Sequence, residues 1–156
     1  MTTAASGELL ARLGALGAAV NRGALYEAAV AATGAALERP AINVLAVLNA
    51  AGGPRRVGEI AAQMQVEGPH VTRHVHRLEQ RGMVRTVVDP DDRRARLVEI
   101  TPVGQQAIDR YLSVVLGWLD SALDGWSEHD RTELFHLAGR LFDDLTAQLA
   151  RYEQPD

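Results

Sequence analysis

Residues 68–100, GPHVTRHVHRLEQRGMVRTVVDPDDRRARLVEI, change their hydrophobic period once. Residues 68–80 repeat apolar side chains at the spacing of a helix, and Pro69 suits its first turn, where the missing N–H is not needed. Gly82 is expected to end this helix. The stretches 83–88 and 95–100 are β-branched and partly alternating, with the polar DPDDRR between them. This region therefore predicts a helix followed by a β-hairpin.

A shorter helix is predicted just before this region, at residues 57–64, and the three residues 65–67 form the turn between the two helices. Two helices joined by a tight turn and followed by a hairpin make a winged helix-turn-helix. Further helices are predicted on both sides, at residues 6–33, 39–51, 102–123 and 128–150. We expect Gly23 to weaken the first of these helices without ending it.

The predicted fold class is mainly α with a small β-hairpin wing, flanked by long N- and C-terminal helices. We divide the chain into an N-terminal dimerisation helix (1–36), a winged-helix lobe (37–101) and C-terminal dimerisation helices (102–156). The long helices carry more apolar surface than a small winged helix can cover, which predicts a homodimer. A monomeric helical bundle is the alternative.

Composition excludes several classes of protein. The 156 residues contain no cysteine, which removes disulfides, thiolate metal sites and thiol-based redox sensing. No apolar run reaches the length of a membrane span, and the N-terminus lacks the pattern of a secretory signal. We therefore expect a soluble cytoplasmic protein with no membrane partner.

Charge is distributed unevenly along the chain. The formal net charge is −4, but residues 55–96 contain nine arginines and six acidic residues, a local charge of +3. A basic middle between acidic ends is typical of a DNA-reading module on an acidic scaffold. Ordinary charge scatter is the alternative.

Three histidines, His70, His74 and His76, lie within seven residues, but a helix does not bring them together. With ~100° per residue, Val71, Val75 and Leu78 form a buried stripe, and His74 lies on its flank. On the same geometry, His76 points about 160° away from His74 and about 120° away from His70.

A three-histidine metal site on this helix is therefore excluded, and we expect neither a metal nor a cofactor. His70 and His74 form an i, i+4 pair that leaves a two-histidine site open as an alternative. No nucleophile, paired carboxylates or phosphate-binding loop is marked by the sequence, so no catalytic residue and no enzyme is predicted.

The exposed face of the same helix suits DNA. Arg73 can bind guanine in the major groove, and Thr72 and His76 can reach base edges or phosphates. His70 and Arg77 lie at the flanks, where phosphates run. A solvated polar face is the alternative.

The stretches VTRHVHRLEQRGMV (71–84) and DPDDRRARLVEITPVGQQ (89–106) resemble the MarR family of bacterial transcription regulators. Asp92, Arg94, Thr101 and Gly104 match the family's wing and the start of its next helix, with Ile100 in place of a leucine. One departure is Gly68-Pro69, where many members have a Ser or Thr cap that contacts phosphate. Backbone N–H groups are expected to replace that contact.

The resemblance implies a homodimer whose recognition helix enters the major groove of an operator. It also implies that Arg94 enters the minor groove, where negative potential is concentrated, and that Asp92 helps to hold it. A simple ion pair at the hairpin tip is the alternative. The DNA-binding residues predicted are Arg55, Arg56, Pro69, His70, Thr72, Arg73, His76, Arg77, Asp92, Arg93, Arg94 and Arg96.

The resemblance further implies a small aromatic or anionic effector bound between the dimer helices and the DNA-binding lobe. The residues predicted to line such a pocket are Arg12, Arg22, Tyr26, Asn43, Arg110 and Trp118. For each of them a dimer contact, a surface charge or a packed aromatic side chain is the alternative.

The function predicted is that of a homodimeric, sequence-specific regulator bound to double-stranded DNA. It is expected to repress a pseudo-palindromic operator and to be released by a small ligand. Two alternatives stay open: a winged-helix protein that acts mainly through a protein partner, and a metal-responsive regulator that uses His70 and His74 or His129 and His136.

Overall fold

The N-terminal helix predicted as continuous is two helices, because Gly23 adopts an extended conformation between them. Helix α1 covers Thr2–Arg22 and α2 covers Ala24–Ala32. Gly23 has φ −106° and ψ −179°. The prediction of one helix over residues 6–33 was wrong at this point, since glycine loses more backbone freedom in a helix than other residues and leaves it easily.

This computed structural model describes residues 2–152, except for the side chains of residues 2–6, 19–22, 150 and 152. The chain forms two compact units, Met1–Gly117 and Trp118–Asp156. The division into a lobe and two dimerisation segments remains a prediction about function.

Three helices of the first unit carry its core, and their bounds agree with the predicted ones. They are α3 (Arg39–Ala51), α4 (Val57–Met64) and α5 (Gly68–Gln80). The core side chains shielded most completely include Leu45 and Leu48 of α3, Ile60 of α4, and Val71 and Leu78 of α5. Each full burial of such a side chain contributes about 1.5–3 kcal/mol.

The wing is a three-stranded antiparallel sheet, one strand more than the predicted hairpin. Strands β2 (Val84–Val88) and β3 (Arg96–Ile100) pair along their length, with Val84 opposite Ile100. A two-residue strand β1 (Arg55–Arg56) pairs with the other edge of β3. The sheet order is β1-β3-β2, so the segment just before α4 is attached to the wing.

Two long helices follow: α6 covers Pro102–Ala122 and α7 covers Glu128–Tyr152. Gly104, in the first turn of α6, lies against the backbone of Met83, where a Cβ would collide with the carbonyl oxygen. The predicted fold class is confirmed: a winged helix-turn-helix with long flanking helices. Within residues 2–152, no helix has both the length and the apolar character needed to cross a membrane.

Candidate nucleic-acid interface

Helix α5 buries one face and exposes the opposite one, as its periodicity predicts. Val71, Val75 and Leu78 are buried, and His74 is buried beside them at 6% exposure. The residues of this helix predicted to meet DNA are all exposed, and they are Pro69, His70, Thr72, Arg73, His76 and Arg77. The core therefore fixes which side of the helix faces outward.

Hydrogen bonds occupy several side chains of this exposed face. The Thr72 hydroxyl donates to the Gly68 carbonyl at 3.1 Å, and the His76 ring lies 3.1 Å from the Gln80 amide. Arg77 pairs with Glu38 at 2.9 Å. For Arg73, in contrast, no side chain or carbonyl in residues 2–152 accepts a hydrogen bond from the guanidinium or pairs with it.

The tip of the wing is shaped by Asp92. Its carboxylate accepts a hydrogen bond from the backbone N–H of Arg94 at 3.0 Å, the pattern of an Asx turn. Asp92 therefore contacts the backbone of Arg94 and not its guanidinium. Within the described chain, the guanidinium groups of Arg93 and Arg94 have no hydrogen-bond or ion-pair partner, and both residues are exposed.

An ion pair fixes the base of the wing. Arg56 donates to Asp89 from Nη2 at 2.6 Å and from Nε at 3.1 Å, and Asp89 is buried. We call this contact the wing clasp. The hydrogen bond from Arg56 and a second one from the Asp91 backbone N–H hold the pKa of the Asp89 carboxyl below its usual range. Nothing in the sequence pattern pointed to this pair, 33 residues apart.

The remaining predicted wing arginines are held by carbonyl oxygens. Arg55 donates to the carbonyls of Pro54 and Ala51, each at 3.3 Å. Arg96 donates to the carbonyl of Arg93 at 3.2 Å. Arg55, Arg56 and Arg96 thus make contacts within the wing and the turn before α4, and their predicted contact with DNA stays a prediction.

His74 is the buried polar group of the recognition helix. Its Nδ1 atom has no hydrogen-bond partner in the described structure. Burial lowers the pKa of the His74 imidazole, the Glu38 carboxylate opposes that effect, and Arg77, His70 and Arg73 add to it. The ring is therefore favoured in its neutral form.

The three histidines do not converge, as the helical geometry predicts. The ring centroids of His70 and His74 are 6.0 Å apart, while His76 contacts Gln80. Among the described residues, no group of three or more His, Cys, Asp or Glu side chains is arranged to hold a metal.

The residues predicted to line an effector pocket lie in different environments. Arg12 is an exposed partner of Glu8 on α1. Asn43 borders a cavity below α5, and Trp118 belongs to the second compact unit. The side chain of Arg22 lies outside the described residues.

Tyr26 and Arg110 come nearest to a shared surface. Tyr26 packs edge-on against Tyr111, with centroids 6.5 Å apart, and Arg39 lies 4.3 Å above the Tyr26 ring. Arg110 approaches Gly34, which lines an open depression together with Tyr26. Within the first unit, Tyr26 and Asn43 of the predicted set line two separate cavities. Arg39 and Tyr111 were not predicted for this surface, because aromatic spacing alone does not select them.

The lobe that carries this surface is similar to known proteins. Residues 37–95 match the model of the MarR family. The chain is 27% identical over 77 residues to the HTH-type transcriptional regulator BilQ of Clostridioides difficile. This aligned stretch covers 49% of this chain and 47% of that protein. It is 29% identical over 109 residues to the HTH-type transcriptional repressor IacR of Pseudomonas putida, 70% of this chain and 65% of that protein. The chain thus spans about half to two thirds of the length of these relatives.

The fold extends the match beyond the winged helix. The structure of a MarR family protein from Bacillus stearothermophilus superposes with a TM-score of 0.77, covering 94% of this chain and 99% of that one, at 20% identity. This likeness concerns the fold. The two curated relatives are regulators of transcription, in agreement with the prediction that the chain is not an enzyme.

Proposed function

Because residues 37–95 match the model of the MarR family, we propose that this chain is a sequence-specific DNA-binding regulator of transcription. It acts as a homodimer in the bacterial cytoplasm, where it represses transcription from a pseudo-palindromic operator. The name of the Pseudomonas putida relative, a transcriptional repressor, supports repression rather than activation.

The observation that carries this proposal is the division of the lobe's arginines into paired and unpaired ones. Arg56, Arg77 and Arg85 are held by carboxylates. Arg73 on α5 and both Arg93 and Arg94 at the wing tip have no hydrogen-bond or ion-pair partner for their guanidinium groups within the described residues. An unpaired guanidinium can bind DNA without first breaking an internal ion pair, so these three positions are the ones prepared for contact.

Arg73 and Arg94 differ in what they meet in the proposed complex. Arg73 lies on the exposed face of α5, which enters the major groove and binds guanine. Arg94 lies in the turn between β2 and β3, which reaches the narrow minor groove and its concentrated negative potential. The first contact reads bases directly and the second reads the shape of the groove.

Dimerisation accounts for the apolar surface of the long helices. Leu9, Leu10 and Leu16 of α1 are each at least 49% exposed in the single chain. On α7 the exposed apolar residues are Phe135, Leu137, Leu141, Phe142, Leu145 and Leu149. Apolar surface of this extent on a soluble protein marks an interaction site. A second copy of the chain supplies a self-complementary partner and places two recognition helices on half-sites about 34–36 Å apart.

Release by a small aromatic or anionic effector completes the proposal. The depression beside Tyr26 and the approach of Arg110 to Gly34 combine apolar and cationic groups in the first unit. In the dimer we expect further lining residues from the partner, since Tyr26 and Asn43 line separate cavities of the first unit.

The test is fluorescence anisotropy of the purified protein on the promoter region beside its own gene. We expect tight binding that resists random competitor DNA and weakens at least about tenfold between roughly 50 and 200 mM salt, because bound counterions are released. Equal affinity for random DNA would contradict sequence-specific regulation. The same assay then serves to screen aromatic acids as effectors.

A winged helix that acts mainly through a protein partner predicts a different result. Its interaction with DNA would be weak and indifferent to sequence at every salt concentration. The salt series therefore separates the two functions.

A further inference from the structure

A cavity of about 190 Å³ lies between the first half of α5, helix α3 and the end of α4. Four of its lining residues carry groups that can bind a ligand: Asn43, Met64, His70 and His74. The others are Pro40 and two valines. Two imidazoles, a thioether and an amide thus line one cavity beside the turn of the helix-turn-helix.

One of these imidazoles is buried without a partner. His74 is 6% exposed, and its Nδ1 has no hydrogen bond within the described structure. A buried polar nitrogen is nearly always paired, so an exception indicates a bound group or an ordered water. His70, one turn earlier, is exposed and gives the cavity a route to solvent.

The spacing of the two rings suits a single ion between them. An imidazole nitrogen lies about 2.0 Å from a bound metal, and about 1.1 Å more leads to the ring centre, so two rings on opposite sides of one ion have centroids ~6.2 Å apart. The centroids of His70 and His74 are 6.0 Å apart. This separation favours a wide nitrogen–metal–nitrogen angle over a tetrahedral one.

The donor types select the metal. A thioether selects copper(I), and imidazole binds copper as well as zinc, iron and nickel, whereas magnesium, calcium and manganese need carboxylate, carbonyl or water oxygens. No carboxylate lines this cavity. A second cavity lined by His74 also contains Glu38, Arg77 and Arg81; Arg77 pairs with the Glu38 carboxylate, so the two arginines give that cavity a net positive charge that disfavours a cation.

We propose that His70, His74 and Met64 form a copper(I) site that ties the end of α4 to the recognition helix. His74 is the buried anchor, His70 is the exposed ligand and Met64 is the ligand from the preceding helix. The site uses no cysteine, of which the chain has none.

The test is an anaerobic titration of the full-length protein with copper(I), in competition with bicinchoninate, a coloured copper(I) chelator. We expect one tightly held copper(I) per chain and an X-ray absorption spectrum with both nitrogen and sulfur scatterers. His70→Gln and Met64→Leu should each weaken binding by more than about tenfold, comparable to losses seen on altering metal-site residues. Both positions avoid replacing buried His74, whose loss could unfold the lobe.

Two matched control variants alter a histidine and a methionine that lie outside the proposed site. His76→Gln removes a histidine from another face of the same helix, and Met83→Leu removes the other described methionine, which lies in the core. Both should leave the copper affinity unchanged. Loss of binding in His76→Gln, or a spectrum without sulfur, would overturn the site as assigned.

A protein that binds no stoichiometric copper(I) would also overturn the proposed site. An ordered water would then be the partner of His74. Tighter binding of zinc than of copper(I) would contradict the donor assignment. DNA binding is measured separately, so failure of the copper site leaves the proposed regulator unaffected.

Discussion

Arg94 is presented to solvent by a turn that its own side chain does not help to build. The Asp92 carboxylate accepts a hydrogen bond from the backbone N–H of Arg94. The guanidinium of Arg94 has no partner among the described residues. The side chain of Arg94 can therefore be replaced without removing the hydrogen bond that positions its backbone. This separation makes Arg94 the most informative single substitution in the lobe.

Arg94→Ala should weaken operator binding by about 1–3 kcal/mol, the range for a single arginine contact that reads DNA. The free energy of unfolding should change by less than about 0.5 kcal/mol, as for other exposed positions. Anisotropy titration and thermal melting measure the two quantities. Arg140→Ala, an exposed change of the same charge on α7, should leave operator affinity nearly unchanged. A large loss of stability in Arg94→Ala, or an unchanged affinity, would show that the wing assignment is mistaken.

Single residues were predicted well where one face of an element is buried. Val71, Val75, Leu78 and the flanking His74 were located correctly because burial follows the helical period. Which arginines are free could not be predicted, because Arg56 and Arg77 find their carboxylates on segments 33 and 39 residues away. Long-range ion pairs leave no local pattern in a sequence.

At the scale of elements, helices with strong signals at both ends were predicted to within a few residues. Pro40 and Gly52 bracket α3, and Gly52 has φ 63°, a left-handed conformation that favours glycine. Gly23 carried a weaker signal, since glycine inside a helical pattern is often tolerated. Strand β1 was missed because two residues show no alternation, and only its pairing with β3 defines it.

The wing clasp makes an element-scale prediction about pH. The pKa of Asp89 is lowered in the folded state, so its ion pair stabilises the protein above the ordinary pKa of about 3.9 and is lost as pH falls through the lower folded value. Asp89→Asn should therefore lower Tm at neutral pH, and its difference from the wild type should shrink as pH falls from 5 towards 2. Asp91→Asn, an exposed neighbour, is the control. A difference that does not vary with pH would mean that the charge of Asp89 is unimportant.

The junction between the wing and α6 has its own test. Gly104→Ala places a Cβ against the Met83 carbonyl oxygen and 3.0 Å from the Ile100 side chain, so the backbone must shift. We expect a loss of about 1–3 kcal/mol, typical of overpacking, and a lower Tm in calorimetry. Gly117→Ala on the same helix meets no atom within 4 Å and should be neutral or slightly stabilising. Equal Tm values for the two variants would refute the close contact.

At the scale of the whole molecule, the apolar face of α7 predicts the oligomeric state. Leu145 is 44% exposed in the single chain, so a charge there should spare the fold of each chain while weakening the dimer. Leu145→Glu should shift the protein towards monomer in sedimentation velocity experiments at micromolar concentration. Gln148→Glu adds the same charge nearby on this helix and should remain dimeric. A wild-type chain that sediments as a monomer would contradict the proposed assembly.

The order of the small sheet also affects the behaviour of the protein at high concentration. In the sheet of the described chain, β2 lies at an edge, and its sequence VRTVV is rich in β-branched residues that favour pairing with further strands. Arg85 on this strand is exposed and bonds Glu99 across the sheet at 2.7 Å, while Thr86 bonds Glu79 of α5. The charged, hydrated side chains of Arg85 and Glu79 oppose edge-to-edge pairing of β2 with the β2 strand of another molecule. These side chains therefore protect the solubility of the protein, a role separate from any contact with DNA.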